Sequence, residues 1–257
     1  MMKKRVLFFG ISALLILSAA FFTGCPTETD DSPTPVSLEN TVWGGGTPQA
    51  GNTGWLTLAF KADNKVIAAF NADNTTNEWD YTYNTDKIGT ITVASGWNPA
   101  PDGFTISDDA KTLTIVHYGN HEGTPREFKR LRQGDLTIDP VPFTPGTGTT
   151  KEGLYNSVWG GSTPQANDTG WLTITLKNIT EADNNFPAPG LRAICVFSAD
   201  NSKNDWNWED YAEASRSGTI ARDGGGWTPG AFTISADGKI LTFSSYMGGE
   251  RSFNRLR

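Results

Sequence analysis

Short segments in which apolar and polar residues alternate occupy most of the chain beyond residue 37. In residues 55–61, Leu56, Leu58 and Phe60 fall on one face of an extended strand, and Thr57 falls on the other. A period of two residues predicts a β-strand with one buried face. No part of the chain beyond residue 37 keeps the 3.6-residue spacing of a helix, so the pattern predicts an all-β protein.

The two halves of the chain are copies of one sequence. Residues 40–61 (NTVWGGGTPQAGNTGWLTLAFK) match residues 156–177 (NSVWGGSTPQANDTGWLTITLK), and the ends FKRLR and FNRLR also agree. A duplication of this length indicates two domains of the same fold. We assign the first copy to 38–132, the second to 154–257 and a linker to 133–153.

Alternating segments occur about eight times in each copy, separated by Gly, Asn, Asp and Pro. In the first copy they lie near 41–44, 55–61, 65–70, 79–83, 88–93, 103–107, 111–117 and 126–131. Eight short antiparallel strands suit a small up-and-down barrel, whose closure leaves no exposed edge strand. We therefore expect two tandem β-barrels, with a β-sandwich as the alternative.

The N-terminus has the parts of a bacterial export signal. A basic start, MMKKR, precedes an apolar run at 6–22, and small residues then lead to Cys25. This order is typical of a secretory signal peptide, which we place at 1–24. The stretch Phe22-Thr23-Gly24-Cys25 resembles the lipobox of bacterial lipoproteins, in the looser form of spirochaete lipoproteins.

The lipobox resemblance implies cleavage before Cys25, a diacylglyceryl thioether on its sulfur and a fatty acid such as palmitate on its amino group. Several acyl chains on one residue anchor a protein stably. Residues 25–37 are acidic and Pro-rich and would form an extended tether. We expect a lipid-anchored protein of the cell envelope, at the outer membrane or cell surface, or facing the periplasm.

The net charge limits the classes of partner that the protein can bind, and the cysteine content indicates the state of its thiols. The formal charge of −7 becomes about −10 once Lys3, Lys4 and Arg5 leave with the signal peptide. Nucleic acids are bound by clustered Lys and Arg, so no nucleic-acid partner is expected. Beyond Cys25 the sequence has one cysteine, Cys195, in an apolar segment where a buried thiol is expected.

The ends of each copy, Val-Trp-Gly-Gly and Phe-x-Arg-Leu-Arg, resemble the ends of lipocalin and calycin-like barrels. In those barrels a Trp on the first strand is covered by an Arg near the last strand. The resemblance implies that Trp43 and Trp159 take the Trp role. It implies that the covering residue is Arg130, or else Arg132, in the first copy and Arg255, or else Arg257, in the second. A guanidinium over an indole contributes about 0.5–2 kcal/mol.

Two groups of aromatic residues are candidate ligand contacts. Trp79 and Tyr81 alternate on one face of the fourth strand, as do Trp206 and Trp208 in the second copy. They suit a stacking platform for a sugar or an apolar molecule, or alternatively a barrel core. A second group lies beside loops or in turns and would form the rim of a ligand mouth, or a lid over it: Trp55, Trp97, Trp171 and Trp227.

The sequence offers little for catalysis or metal binding. His117 and His121 have no counterpart in the second copy, and Glu78 and Asp80 are matched there by Asp205 and Asn207. We therefore expect no metal, no cofactor and no enzymatic activity. The function predicted is binding of a small apolar or sugar ligand, or of a host or cell-envelope protein.

The alternatives are a structural or adhesin display protein with filled barrels and, third, a carbohydrate-active enzyme. A small-ligand carrier needs a cavity, so its inward positions should include small residues. Ala68, Gly89 and Gly218 are of that kind. A display protein needs filled barrels.

Overall fold

Two closed eight-stranded antiparallel β-barrels follow one another along the chain in the computed structural model. The structure describes residues 37–48, 54–71, 75–84, 86–93, 101–118, 125–164, 169–182, 189–197, 202–221 and 230–257. The prediction of tandem up-and-down barrels is confirmed, and the alternative β-sandwich is wrong. Both barrels lie in one compact unit, Pro35–Arg257.

Each barrel is built by pairing every strand with the next along the chain. Barrel 1 consists of β1 (Val42–Thr47), β2 (Gly54–Phe60), β3 (Lys65–Phe70), β4 (Thr75–Tyr83), β5 (Ile88–Thr92), β6 (Pro101–Ile106), β7 (Thr112–Tyr118) and β8 (Arg126–Arg132). Barrel 2 consists of β9 (Ser157–Thr163), β10 (Gly170–Ile179), β11 (Gly190–Phe197), β12 (Ser202–Ala212), β13 (Ser217–Ala221), β14 (Gly230–Ile234), β15 (Ile240–Tyr246) and β16 (Gly249–Arg255). Pairing of β1 with β8 and of β9 with β16 closes the two barrels.

The inward faces form one hydrophobic cluster in each barrel. As the alternation predicts, Leu56, Leu58 and Phe60 of β2 point into barrel 1 and are at most 1% exposed. Their counterparts on β10 point into barrel 2. Period-two alternation therefore sets which side chains fill each interior.

The second face of β2 is also buried, contrary to the half-buried strand that the alternation suggests. All seven residues of β2 are buried, and so are the first seven of β10. The reason is that these faces pack against each other between the barrels. We name this contact the interbarrel cluster; it comprises Val42, Trp55, Ala59, Ile67, Leu131, Val158, Trp171 and Leu256.

The linker between the barrels is partly packed. Val141 and Phe143 lie against the interbarrel cluster, whereas Ile138 is 37% exposed. A short 3-10 helix, Glu152–Leu154, then leads into β9. Within the described residues, no helix combines the length and apolarity needed to cross a bilayer.

Candidate functional site

The aromatic stripe of the fourth strand lies inside each barrel. Trp79 and Tyr81 are 3% and 8% exposed. The Tyr81 ring packs edge-on against Phe60 with centroids 4.8 Å apart, and Phe70 meets Trp79 at 5.9 Å. Burial raises the pKa of Tyr81 above its ordinary value. In barrel 1 the stripe is therefore part of the core.

Barrel 2 repeats this packing with larger rings. Trp206 lies 6.3 Å from Phe197, and Trp208 lies 6.3 Å from Tyr155 and 5.9 Å from Tyr211. Trp208 is 1% exposed, and its indole Nε1 has no hydrogen-bond acceptor in the described part of the protein. A ligand reaching this stripe would have to displace neighbouring rings.

The closure tryptophans are held by matching contacts in the two copies. Trp43 Nε1 donates to Thr41 Oγ1 at 2.9 Å, and Trp159 Nε1 donates to Ser157 Oγ at 2.9 Å. Both indoles are completely buried. The Thr41 and Ser157 hydroxyls in turn donate to backbone carbonyls three residues earlier in the chain. Each indole is thus fixed by a short hydrogen-bonded chain.

The arginines expected to cover these tryptophans differ between the copies. The Arg255 guanidinium carbon lies 5.4 Å from the centre of the Trp159 ring. It donates to the carbonyls of Gly148 and Gly153, both at 2.8 Å, and burial lowers its pKa. Arg130, opposite Trp43 in the β1–β8 ladder, instead pairs with the linker residue Asp139.

That ion pair is part of the lining of an open surface cleft of about 300 Å³, together with residues of the linker and of strands β7 and β8. Arg130 Nε lies 2.8 Å from Asp139 Oδ2, and both side chains are close to nine-tenths buried. Lys111 and Lys129 flank the cleft, and linker residues including Val141 form its other wall. The Arg130 guanidinium in this cleft is therefore already neutralised by a carboxylate of the same chain.

Trp55 and Trp171 lie in the interbarrel cluster, where they are 3% and 2% exposed. The Trp55 ring meets Phe143 of the linker edge-on at 5.1 Å. A Cβ added at Gly44 would come within 2.8 Å of the Trp55 ring, and one at Gly160 within 2.7 Å of the Trp171 ring. The repeated Trp-Gly-Gly motif thus leaves space for these indoles.

Arg132 and Arg257 each form hydrogen bonds to the other barrel, a role that the sequence did not predict for them. Arg132 donates to the carbonyls of Thr169 and Gly170 of barrel 2, at 2.8 and 2.9 Å. Arg257 donates to the carbonyl of Gly54 of barrel 1 at 3.1 Å. The sequence feature that could have pointed to these two residues is the arginine that ends the matching segment of each copy.

Three of the predicted site residues, Cys25, Trp97 and Trp227, lie outside the described residues, so their roles stay predictions. Cys195 is fully buried; burial, reinforced by the nearby charge of Asp205, raises the pKa of its thiol well above the ordinary value. His117 lies on β7 and is exposed. The described residues contain no group of three potential metal ligands.

The exposed carboxylates serve as local hydrogen-bond acceptors. Asp80 pairs with Lys65 across β3 and β4. The pKa values of Asp109 and Asp237 are lowered chiefly by hydrogen bonds from Ser107 and Ser235 at equivalent turns. Asp80 thus stabilises a strand pair, and Asp109 and Asp237 stabilise turns. The lowered pKa values of Asp109 and Asp237 favour the ionised form over a proton donor.

The chain was compared with family models, with curated proteins and with solved structures, and none of the three comparisons found a match.

Proposed function

We propose that the chain is a lipid-anchored, non-enzymatic binding protein whose rigid double barrel recognises a protein partner through its outer surface. The observation that carries the proposal is that aromatic side chains of the described strands fill the parts of both barrel interiors that these strands enclose. A carrier of apolar molecules or sugars needs an interior cavity, and pockets for such ligands are typically 300–1,000 Å³. A protein that binds a partner through its outer surface needs only a stable barrel and no interior cavity.

The small inward residues illustrate this filling. Gly89 and Gly218 are positions where a missing side chain leaves space for a ligand in a hollow barrel. Here a Cβ at Gly89 would overlap the Phe104 ring, and one at Gly218 would lie 2.8 Å from the Phe232 ring. Phe104 and Phe232 are each 1% exposed. The space at both glycines is used by the core, which favours surface recognition over interior binding.

The competing small-ligand function is tested by titrating the chain from residue 26 with a fluorescent fatty acid, with benzene and with a panel of neutral sugars. Tryptophan fluorescence and calorimetry report binding. The expected result is no saturable binding of any of them to the native protein. Saturable binding of one or two molecules per chain would overturn the proposal and restore the carrier function.

A variant with an engineered cavity shows that the titration can detect interior binding. Phe60 contacts both Tyr81 and Phe104 inside barrel 1, with centroids 4.8 and 5.8 Å away. The Phe60→Ala variant should open an apolar cavity that accepts benzene, since such engineered cavities stay dry and bind small apolar molecules. Binding to the variant but not to the native protein is the outcome that the proposal requires.

The anchor is tested separately from the binding mode. Cells expressing the full precursor and its Cys25→Ala variant are grown with labelled fatty acid. The native protein should carry the label and fractionate with membranes, whereas the variant should carry none. A labelled Cys25→Ala protein would contradict lipid attachment at this cysteine without bearing on how the barrels bind.

A further inference from the structure

The contact between the barrels has the pattern of a two-fold symmetric interface. Residues of the interbarrel cluster occupy equivalent places in the two repeats: Val42 and Val158, Trp55 and Trp171, Leu131 and Leu256. Thr57 and Thr173 are also equivalent, and their hydroxyl oxygens lie 3.2 Å apart. A residue that touches its own counterpart lies on the two-fold axis, and an interface about such an axis uses the same patch on both sides.

The terminal arginines obey the same symmetry. Arg132 of barrel 1 reaches the carbonyl of Gly170, and its guanidinium lies 5.8 Å from the Trp171 ring centre. Arg257 of barrel 2 reaches the carbonyl of Gly54 and lies 5.9 Å from the Trp55 ring centre. Each repeat therefore gives one arginine to the other and receives one in return.

The chemistry of this face requires a partner to cover it. Arg132 is 1% exposed, and burial lowers its pKa to about 10. Its hydrogen bonds to barrel 2 are made to carbonyls and to the Ser162 hydroxyl. Without the other repeat, Trp55, Ile67 and Leu131 would form an exposed apolar patch beside an arginine that keeps the carbonyl of Asn40 but has lost its acceptors in barrel 2. Such a surface is typical of an interaction site.

Several residues that differ between the two faces are small, as at Gly46 and Ser162. Ala59 corresponds to Thr175 in the second repeat. Ala69 corresponds to Val196, and these two residues pack together with Ile194 in a small cluster beside the interbarrel cluster. Two copies of the first repeat would meet with the smaller side chain on both sides, and two copies of the second with the larger one. Neither combination introduces a charge, although a pair of second repeats has a second copy of the Thr175 and Ser162 hydroxyls.

We infer that this face is a self-pairing surface, and that the partner it fits is a second copy of the repeat, whether in the same chain or in another. The contact inside one chain is then the intramolecular form of a homodimer, favoured by the linker because the tethered copy has a high effective concentration. The inference is independent of the proposed function, because it concerns the face that the barrels hide from other partners.

The test releases the copies from each other without changing the interface. A protease site is inserted between Thr144 and Pro145, where the linker is exposed at Thr144. The chain from residue 26 is purified folded, cleaved, and mixed with an equal amount prepared with heavy isotopes. The mixture is incubated, with mild urea added and then removed if needed, until pairs of one light and one heavy fragment appear. Native mass spectrometry then identifies every pair by its mass.

Self-pairing predicts that the cleaved halves stay associated and that pairs of two first repeats and pairs of two second repeats both appear. Exchange that yields only pairs of a first with a second repeat would show recognition specific for the other copy and would overturn the inference. Fragments that separate into monomers, folded or unfolded, would overturn it as well, because a self-pairing face would bind a second copy of the same fragment.

Arginine variants tie the pairing to this face. In the cleaved protein, Arg132→Met with Arg257→Met should raise the concentration for half-association by roughly tenfold or more per arginine, since charged hydrogen bonds are lost. The matched control is Arg251→Met on β16, because Arg251 is exposed. Equal association of the double variant and the control would contradict the assignment of pairing to the interbarrel cluster.

Discussion

The hydroxyl oxygens of Thr57 and Thr173 lie 3.2 Å apart between the two barrels, although 116 residues separate them in the chain. Both residues are nearly inaccessible, at 2% and 4% exposure. Thr57 Oγ1 also accepts a hydrogen bond from the indole of Trp55 at 3.1 Å. The centre of the interbarrel contact is therefore a small polar group surrounded by apolar side chains.

Removing these hydroxyls tests the contact by a double-mutant cycle. Thr173→Val should lower the free energy of unfolding by about 1 kcal/mol, and Thr57→Val by about 1–2 kcal/mol because Trp55 also loses its acceptor. The double variant should cost less than the sum of the two, since each single variant leaves the other threonine's hydroxyl unmatched and the double variant leaves none. Urea unfolding measures all three.

The matched control is an exposed pair in barrel 1, Thr82 and Thr90, whose hydroxyl oxygens lie 2.8 Å apart. Replacing both with valine should change the free energy of unfolding by less than about 0.5 kcal/mol. Strictly additive costs at Thr57 and Thr173, or costs no larger than in this control, would show that the buried pair is not coupled.

Gly160, on the first strand of barrel 2, offers a second test of the interbarrel contact. A Cβ at Gly160 would lie 2.7 Å from the Trp171 ring and 2.8 Å from Leu256. Both neighbours are packed, so Gly160→Ala should cost about 1–3 kcal/mol of stability by overpacking. Gly249→Ala is the control, because nothing lies within 4 Å of its added Cβ. Equal thermal unfolding of the two variants would contradict this packing.

Most of the fold follows from the sequence because a barrel interior depends on local alternation. The faces of Leu56, Leu58 and Phe60 were set by period two, and the repeat gave the number of barrels. The second face of β2 could not be predicted in this way. Its threonines are as compatible with water as with burial, and only the position of the other barrel decides between the two.

The predictions for the site residues also depended on the position of the other barrel, which the sequence of one repeat does not reveal. Trp55 and Trp171, off the apolar stripe and beside a loop, suggest exposure at a mouth when one repeat is considered alone. In the structure they are covered by the other repeat, by the linker and by Arg257 and Arg132. Contacts between distant repeats leave no periodic signal in one sequence, so this surface emerges only when both barrels are placed.

The closure of barrel 2 predicts an unusual dependence on one arginine. Arg255 lies over Trp159 and donates to two linker carbonyls, Gly148 and Gly153. Arg255→Met keeps the apolar stem but removes these interactions, and should cost about 2–4 kcal/mol of stability. The linker should also become more sensitive to limited proteolysis near Gly148. Arg251→Met, on the same strand but exposed, should change neither property.

The buried thiol of Cys195 predicts how stability depends on pH. Burial raises the pKa of this thiol in the folded protein, whereas the unfolded thiol titrates near pH ~8.5. Above that pH the unfolded state loses its proton while the folded state keeps it. Ionisation therefore favours unfolding, and stability should fall with rising pH by up to about 1.4 kcal/mol per unit.

The Cys195→Ala variant isolates this contribution, because tyrosines with raised pKa values, such as Tyr81 and Tyr211, are shared by both proteins and cancel. The chain from residue 26 contains no other cysteine. The difference in unfolding free energy between native protein and variant should be constant below pH ~8 and should shift against the native protein above pH ~8.5. Parallel stability curves up to pH ~10, or a folded protein whose thiol reacts rapidly with a disulfide reagent, would show that Cys195 is accessible to water.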